Sequence, residues 1–146
     1  MKNLIIITML IFIFFSCQRN KSSVDEKKEL KSNVNSIERV YFKWPQNNSV
    51  VSSPVYIDMG IEGIKVEVAG KVNKGFGHHH ILINQFFWPK GKIIPMSDTT
   101  IHYGKGQTDA SVELPPGKYI LSLQFADGVH SSFGKELASS IKIKVE

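Results

Sequence analysis

The sequence predicts an all-β protein: an immunoglobulin-like, two-sheet antiparallel sandwich that follows an N-terminal signal and a flexible tether. From residue 37 onward, short stretches alternate apolar and polar residues, which is the period of a β-strand. No helical periodicity in this part lasts longer than a turn or two. About seven or eight such stretches fall within ~100 residues, as a sandwich of this kind requires. A closed barrel is the alternative architecture.

The composition bounds the number of domains and the class of partner. A chain of 146 residues with 42% hydrophobic content can build one domain around a single core. Its 18 basic and 13 acidic residues are scattered, and basic residues are not interleaved with aromatic residues for base stacking. This distribution argues against a nucleic-acid partner and favours a solvated surface beside an anionic membrane.

The first 16 residues have the layout of an export signal. Lys2 precedes an apolar run, Leu4 to Phe15, that is shorter than the ~20 residues of a membrane-spanning helix. The segment that ends in Ser16-Cys17 resembles a bacterial lipoprotein signal, in which cleavage before the cysteine leaves Cys17 to carry lipid. The resemblance implies a lipid-anchored domain of the cell envelope, periplasmic or associated with the outer membrane. An uncleaved anchor, or a secretory leader with an incidental cysteine, is the alternative.

Residues 17–36 form the predicted tether. They are rich in Lys, Ser, Asn, Glu and Asp and have few large apolar side chains, so they cannot bury enough surface to fold. The folded domain is therefore expected at residues 37–146. Cys17 is the single cysteine of the chain, which excludes an internal disulfide and a zinc site made of several cysteines.

The strands in the first half of the domain follow from alternation and turn residues. Residues 40–44 alternate and then meet a turn at residues 45–49. Residues 55–61 and 64–68 alternate on either side of Glu62-Gly63. Two residues between alternating stretches predict a tight hairpin.

The second half contains a histidine-rich strand, a long loop over residues 86–100, and three further strands at residues 110–114, 119–126 and 141–145. The turn Pro115-Pro116-Gly117 separates two of these strands. Tyr119 shortly follows it and resembles the corner tyrosine of immunoglobulin-like domains.

The long loop begins with three consecutive aromatic residues, Phe86, Phe87 and Trp88. Two of the three are expected to pack in the core. The alternative is an exposed aromatic anchor for a protein contact.

Three consecutive histidines, His78 to His80, lie on the histidine-rich strand. Because alternate side chains of a strand share a face, His78 and His80 lie together with Cα atoms ~6.5–7 Å apart, and His79 faces the opposite way. Two imidazoles at this spacing can reach one metal ion at ~2.0–2.1 Å per nitrogen. His79, on the apolar face, is expected to be a buried ring with one hydrogen bond.

Further ligands are expected from His102 and His130, each close to a glycine turn at a strand end. Together with His78 and His80 they form a set that is rich in imidazole and poor in carboxylate, which suits zinc or copper rather than calcium or magnesium. Asp127 would then hold one ring in its tautomer by hydrogen bonding. The alternative is a polar, partly exposed histidine run that binds nothing.

The segment Gly104 to Thr108 lacks the strand-to-helix context and the glycine spacing of a phosphate-binding loop. It is predicted to be a turn. Lys105 and Gln107 lie close to His102 in sequence, and they either assist in binding an anionic ligand or only face solvent.

Three motifs, in this order, carry a family resemblance: Gly77-His78-His79-His80-Ile81-Leu82-Ile83, Ile101-His102-Tyr103-Gly104-Lys105-Gly106-Gln107-Thr108, and Leu114-Pro115-Pro116-Gly117-Lys118-Tyr119. Together they resemble a family of small exported bacterial domains, domain of unknown function 4399. The resemblance spans about residues 37–146 and implies an exported domain without an established reaction.

These observations give one leading function and two alternatives. The leading hypothesis is a membrane-tethered cell-envelope module, not an enzyme, that holds zinc, copper or a small polar ligand through its histidines. One alternative is an interaction or scaffold domain that binds an envelope protein without metal. The other is a metal-dependent hydrolase, which is disfavoured because no carboxylate base lies close in sequence to the ligands. Because ligating histidines must be neutral, metal binding is expected to weaken below pH ~6.5.

Overall fold

The computed structural model describes residues 37–146, which fold into an all-β domain of two sheets, as the sequence predicts. The predicted signal, Cys17 and the tether lie outside the described residues. Within residues 37–146, no helix is long and apolar enough to cross a membrane. The strands are β1 Arg39–Trp44, β2 Ser49–Val51, β3 Val55–Glu62, β4 Lys65–Val66, β5 Phe76–Ile83, β6 Thr100–His102, β7 Asp109–Val112, β8 Gly117–Ala126 and β9 Ala138–Val145; a 3-10 helix, Gly134–Leu137, lies between β8 and β9.

One sheet has the order β1-β3-β7, and the other has the order β2-β9-β8-β5-β4, with β6 also paired to β5. The long strands pair antiparallel, whereas the short strands β2 and β4 pair in parallel with β9 and β5. β8 lies along one side of β5. On the other side, β4 pairs with the first residues of β5 and β6 with its last residues. β5 is therefore an interior strand, supported along both edges.

The core lies between the two sheets and is built by alternate residues of each strand. Ile57 and Met59 of β3 face Ile81 of β5 and Leu123 of β8, and all four are essentially inaccessible to solvent. Fully burying one such side chain contributes ~1.5–3 kcal/mol. At the end of this core the Tyr119 hydroxyl donates a hydrogen bond to the Pro115 carbonyl at 2.8 Å, as the corner-tyrosine pattern predicts.

The predicted hairpin around Glu62-Gly63 is wrong. β4 pairs with β5 of the other sheet, and the Glu67 amide continues this pairing by donating to the Gly77 carbonyl at 2.7 Å. Gly63 makes the crossing possible because its φ of 75° favours glycine, and a side chain there would collide with the backbone of residues 37–38. Of the strand predicted at residues 64–68, only Lys65 and Val66 form one, and they pair with the edge of β5.

The outer face of the six-stranded sheet is covered by the long loop after β5. Trp88 and Ile94 of this loop pack on Leu82 and Ala126, which forms a second, smaller apolar cluster. Beside it the buried Gln124 side chain accepts a hydrogen bond from the Trp88 amide at 2.8 Å. β5 is consequently buried on both faces. Polar side chains on its outer face are therefore shielded from solvent.

The aromatic run at the start of this loop is more exposed than predicted. Phe86 and Phe87 are 57% and 41% exposed, and only Trp88 packs against the sheet. The expectation that two of the three lie in the core is therefore wrong. Trp88, together with Ile94, covers Leu82 and Ala126, and Phe86 and Phe87 take no part in this cluster.

Candidate metal site

Four histidines that are separated in sequence meet on the outer face of the six-stranded sheet. His78, His80, His102 and His130 each place one ring nitrogen so that the four nitrogens lie within 4.8 Å of one another. We call this group the four-histidine cluster. All four are the residues that the sequence singled out as metal ligands, and no acidic side chain belongs to the cluster within residues 37–146.

The strand register positions three of the four rings. His78 and His80 share the outer face of β5 because they are two residues apart. His102 of β6 lies directly opposite His80 in the antiparallel pair. Opposite residues of such a pair have Cβ atoms ~4.5–5.5 Å apart, which brings the His102 ring beside the His80 ring.

A glycine makes room for the His102 ring. If Gly104 carried a methyl group, that group would overlap the His102 ring. The chain is fixed here from both sides, because the Tyr103 amide donates to the His79 carbonyl at 3.0 Å and the Ala69 amide donates to the Gly104 carbonyl at 2.8 Å. The ring is thus held by packing against backbone that cannot easily move away.

The fourth ring comes from the loop that follows β8, and Asp127 shapes this loop. The Asp127 carboxylate accepts hydrogen bonds from the backbone amides of Val129, at 3.0 Å, and Ser131, at 2.9 Å. His130 between them has a φ of 66°, in the left-handed region that few non-glycine residues adopt. The turn built by Asp127 therefore sets the backbone conformation that directs the His130 ring, whereas the sequence suggested a hydrogen bond between Asp127 and a ring.

Lys105 and Gln107 lie in the turn that follows His102. The Gln107 side-chain oxygen accepts a hydrogen bond from the Lys105 amide at 2.8 Å, and the Gly106 amide donates to the Tyr103 carbonyl at 3.3 Å. Lys105 is exposed. Gln107 thus stabilises the turn that carries His102, and the predicted role of either residue in ligand binding stays a prediction.

The rings of the cluster are close-packed. The His102 and His130 ring centres are 4.5 Å apart, those of His78 and His80 are 4.8 Å apart, and the longest separation, between His80 and His130, is 5.8 Å. His78 Nε2 lies 3.2 Å from His130 Nδ1, so one ring can donate a hydrogen bond to the other. Both nitrogens of His80, Nδ1 of His78 and Nε2 of His102 are buried without a hydrogen-bond partner in the described part of the chain.

Burial and repulsion between neighbouring rings favour the uncharged form of His78 and His80. His78 and His80 are essentially inaccessible to solvent, whereas His102 and His130 are partly exposed. Burial, followed by the neighbouring histidines His102 and His130, lowers the pKa of His78 to about 4. Burial, followed by repulsion from His78 and the other histidines, lowers the pKa of His80 to about 2, and burial also lowers the pKa of His102. The neutral form, which binds metals, therefore persists in His78 and His80 below the pH of ~6.5 expected from sequence.

His79 lies on the core face of β5, as predicted, and is not part of the cluster. Its ring packs edge-on against Phe125 with ring centres 5.0 Å apart. The expected hydrogen bond is absent, since neither ring nitrogen has a partner among residues 37–146. Burial lowers the pKa of His79 to about 4. This ring behaves as a core side chain at neutral pH.

Sequence reasoning missed two residues that build the site. Gly104 was interpreted only as a turn residue, although its position two residues after a candidate ligand was a usable signal. Gln124 was not singled out, but it is buried opposite His80 in the strand pair and donates to the Gly134 carbonyl at 3.0 Å. Its burial follows from the covering loop, which the sequence of β8 does not reveal.

The described domain is thus an all-β sandwich with a group of four imidazoles, two buried and two partly exposed, on the outer face of one sheet. The model of the family Domain of unknown function (DUF4399) matches residues 57–146, and the chain belongs to this family. The resemblance of the three motifs is confirmed, but the match begins within β3 and leaves out β1 and β2, which is narrower than residues 37–146. No curated protein and no solved structure matches the chain.

Proposed function

We propose that the domain is a membrane-tethered module of the cell envelope that holds a transition-metal ion, zinc or copper, in the four-histidine cluster. The observation that carries the proposal is the meeting of four ring nitrogens within 4.8 Å, contributed by β5, β6 and the loop after β8. Neutral imidazoles are ligands that zinc and copper prefer. Calcium and magnesium require oxygen ligands, which the cluster does not offer.

The unpaired ring nitrogens support a bound ion. A buried polar group without a hydrogen-bond partner costs ~1–3 kcal/mol. His80 has two such nitrogens, and His78 and His102 have one each. An ion bound between the rings would use a lone pair of each ligand and so offset part of this cost. A small polar ligand that accepts or donates several hydrogen bonds is the alternative occupant of the same group.

Calorimetric titration of the purified full-length protein with Zn(II), and separately with Cu(II), tests the proposal. We expect one ion per chain, and a His78→Ala/His80→Ala variant should lose affinity by more than ~100-fold, because even residues that only support metal ligands contribute 10–100-fold. His79→Leu, on the opposite face of the same strand, is the matched control and should bind as the wild type does. Equal weak binding by all three proteins would refute the metal site.

The tether and the location of the domain are separate parts of the proposal. The lipoprotein-type signal before Cys17 supports export and lipid attachment at that residue. Mass spectrometry of the mature N-terminus and fractionation of expressing cells should find the lipidated protein with the membrane, and Cys17→Ser should move it to the soluble envelope fraction. A wild-type protein found in the soluble fraction without lipid would contradict the anchor.

A protein contact is the second candidate function, favoured by the exposure of Phe86 and Phe87. These two rings lie at the start of the covering loop, next to Ser140, whose hydroxyl donates to the Phe86 carbonyl at 2.9 Å. Cross-linking in intact cells with the wild type and a Phe86→Ser/Phe87→Ser variant separates the candidates. A cross-linked envelope partner that is lost in this variant and kept in His78→Ala/His80→Ala would favour the contact.

A further inference from the structure

The spacing of the four rings distinguishes between the coordination geometries that a metal ion can adopt. We infer that the four-histidine cluster is a closed tetrahedral centre in which all four imidazoles bind one zinc ion and no position remains for a water molecule. This inference rests on the proposed function and specifies the ion and its coordination.

Metal–nitrogen bonds of ~2.0–2.1 Å fix how far apart the rings must lie in each geometry. Around a tetrahedral ion, all six separations between ring centres are ~5.2 Å, whereas a square arrangement has four of ~4.5 Å and two diagonals of ~6.4 Å. The six separations in the cluster are 4.5, 4.8, 5.0, 5.1, 5.1 and 5.8 Å. Five of them, from 4.5 to 5.1 Å, lie at or below the tetrahedral value and one, 5.8 Å, lies above it, and none reaches the diagonal of a square.

A stronger argument against a square arrangement comes from comparing the ring separations in opposite pairs. The two diagonals of a square join opposite pairs of rings that share no member, and both must be long. The longest separation, 5.8 Å between His80 and His130, has as its opposite pair His78 and His102 at only 5.0 Å. The other two sets of opposite pairs measure 5.1 and 5.1 Å, and 4.8 and 4.5 Å. No set of opposite pairs resembles two diagonals.

One nitrogen pair of the cluster has a spacing close to that of a tetrahedron. His78 Nε2 and His130 Nδ1 are 3.2 Å apart. Two nitrogens bound to one ion are ~3.3–3.4 Å apart in a tetrahedron and ~2.8–3.0 Å apart at neighbouring corners of a square. The four nitrogens together lie within 4.8 Å of one another, a wider spread than the ~3.4 Å of a tetrahedron, so the rings must turn toward the ion as it binds.

Two consequences follow for the chemistry of the site. Zinc accepts four tetrahedral nitrogen ligands without distortion, whereas Cu(II) and Ni(II) favour planar or tetragonal arrangements. Catalytic zinc sites keep one position for water beside three protein ligands, and structural sites are closed by four. A closed four-imidazole centre therefore serves to stabilise the fold or to store the ion. It has no position for the metal-bound water that a hydrolase would use as its nucleophile.

Cobalt(II) provides the test, because tetrahedral Co(II) absorbs visible light much more strongly than six-coordinate Co(II). The full-length chain with Cys17→Ser, which removes the one thiol, is loaded with Co(II). We expect an intense visible band that azide does not change, displacement of Co(II) by one equivalent of zinc, and nitrogen-only coordination by X-ray absorption. The matched variant is His130→Gly, because glycine adopts the φ of 66° at this position without strain.

His130→Gly should leave a vacant coordination position. We expect its zinc affinity to fall ~10–100-fold, its Co(II) spectrum to respond to azide, and added imidazole to restore both properties toward the wild type. A wild-type Co(II) spectrum that is weak or responds to azide would overturn the closed centre while leaving metal binding intact. Zinc affinity that is unchanged in His130→Gly would also overturn it. Absence of any Co(II) or zinc binding by the wild type would refute the proposed function itself.

Discussion

The two faces of β5 bury histidines in opposite ways. On the outer face, His78 and His80 meet two further imidazoles, whereas on the core face the His79 ring packs against Phe125. All three rings are essentially inaccessible to solvent and all three have a lowered pKa. Burial therefore does not distinguish a candidate ligand from a core histidine. The difference lies in whether other lone pairs converge on the same point.

The largest expected effect is the loss of folding stability in acid that His79 causes. The pKa of His79 is about 4 in the folded domain and ~6.5 when unfolded, so the unfolded chain binds more protons as the pH falls. The contribution of His79 to stability is fully present above pH ~6.5 and is lost toward pH ~4, by about 3 kcal/mol.

Denaturant unfolding of metal-free protein between pH 7.5 and 4 measures this effect as the difference between the wild type and His79→Leu. We expect the variant to lose less stability on acidification, because its core face has no group to protonate. His78 and His80 add an acid dependence that both proteins share. Parallel curves for the two proteins would mean that the core-face ring is not what titrates.

A slightly smaller effect is expected from zinc itself. An ion that binds only the folded state at a free concentration of 100 times its Kd raises the free energy of unfolding by ~2.7 kcal/mol. Thermal unfolding with and without zinc should reveal this gain in the wild type and in His79→Leu, but not in His78→Ala/His80→Ala. A gain in the double variant would place the ion elsewhere in the chain.

Gly104→Ala tests whether the position of the His102 ring on the outer face of the sheet matters for zinc binding. The added methyl group overlaps the His102 ring, which must then turn away from the cluster. We expect zinc affinity to fall ~10-fold, or ~1.4 kcal/mol, measured by competition with a chromophoric chelator. Lys105→Ala in the same turn is the control and should leave zinc affinity unchanged, since its side chain is exposed.

The smallest expected effect tests whether Asp127 acts through the hydrogen bonds that shape its loop or through its negative charge. Asparagine at this position retains an oxygen that can accept the hydrogen bonds from the Val129 and Ser131 amides, whereas alanine does not. We expect Asp127→Asn to bind zinc as the wild type does, and Asp127→Ala to bind a few-fold more weakly because His130 loses its fixed direction. Equal losses in both variants would show that the carboxylate charge matters instead.

The sequence predicted much of this domain because local patterns carry the relevant physics. Alternation located the long strands, and the two-residue period put His78 and His80 on one face and His79 on the other. The proline-glycine turn before Tyr119 indicated a corner tyrosine, and its hydroxyl does donate to a carbonyl a few residues upstream, that of Pro115. Each of these features depends on residues that are neighbours along the chain.

The features that the sequence did not predict correctly have a different cause. β4 pairs with β5 instead of forming the predicted hairpin with β3, and the burial of Gln124, about which no prediction was made from the sequence, depends on the loop whose Trp88 amide donates to it. Phe86 and Phe87 are exposed, whereas Trp88 and Ile94 of the same loop pack on the sheet. Each outcome depends on competition between distant segments for one surface.

The sequence by itself determined the strand periodicity, the family and the four histidines that are suited to a metal, since residue type and spacing fix which side chains share a face. Only the tertiary structure decided that His102 and His130 reach His78 and His80, so that one nitrogen of each ring lies within 4.8 Å of the others. The physical reason is that coordination requires ångström-scale distances between side chains on different elements. Sheet register, the Asp127 turn and the space beside Gly104 set those distances.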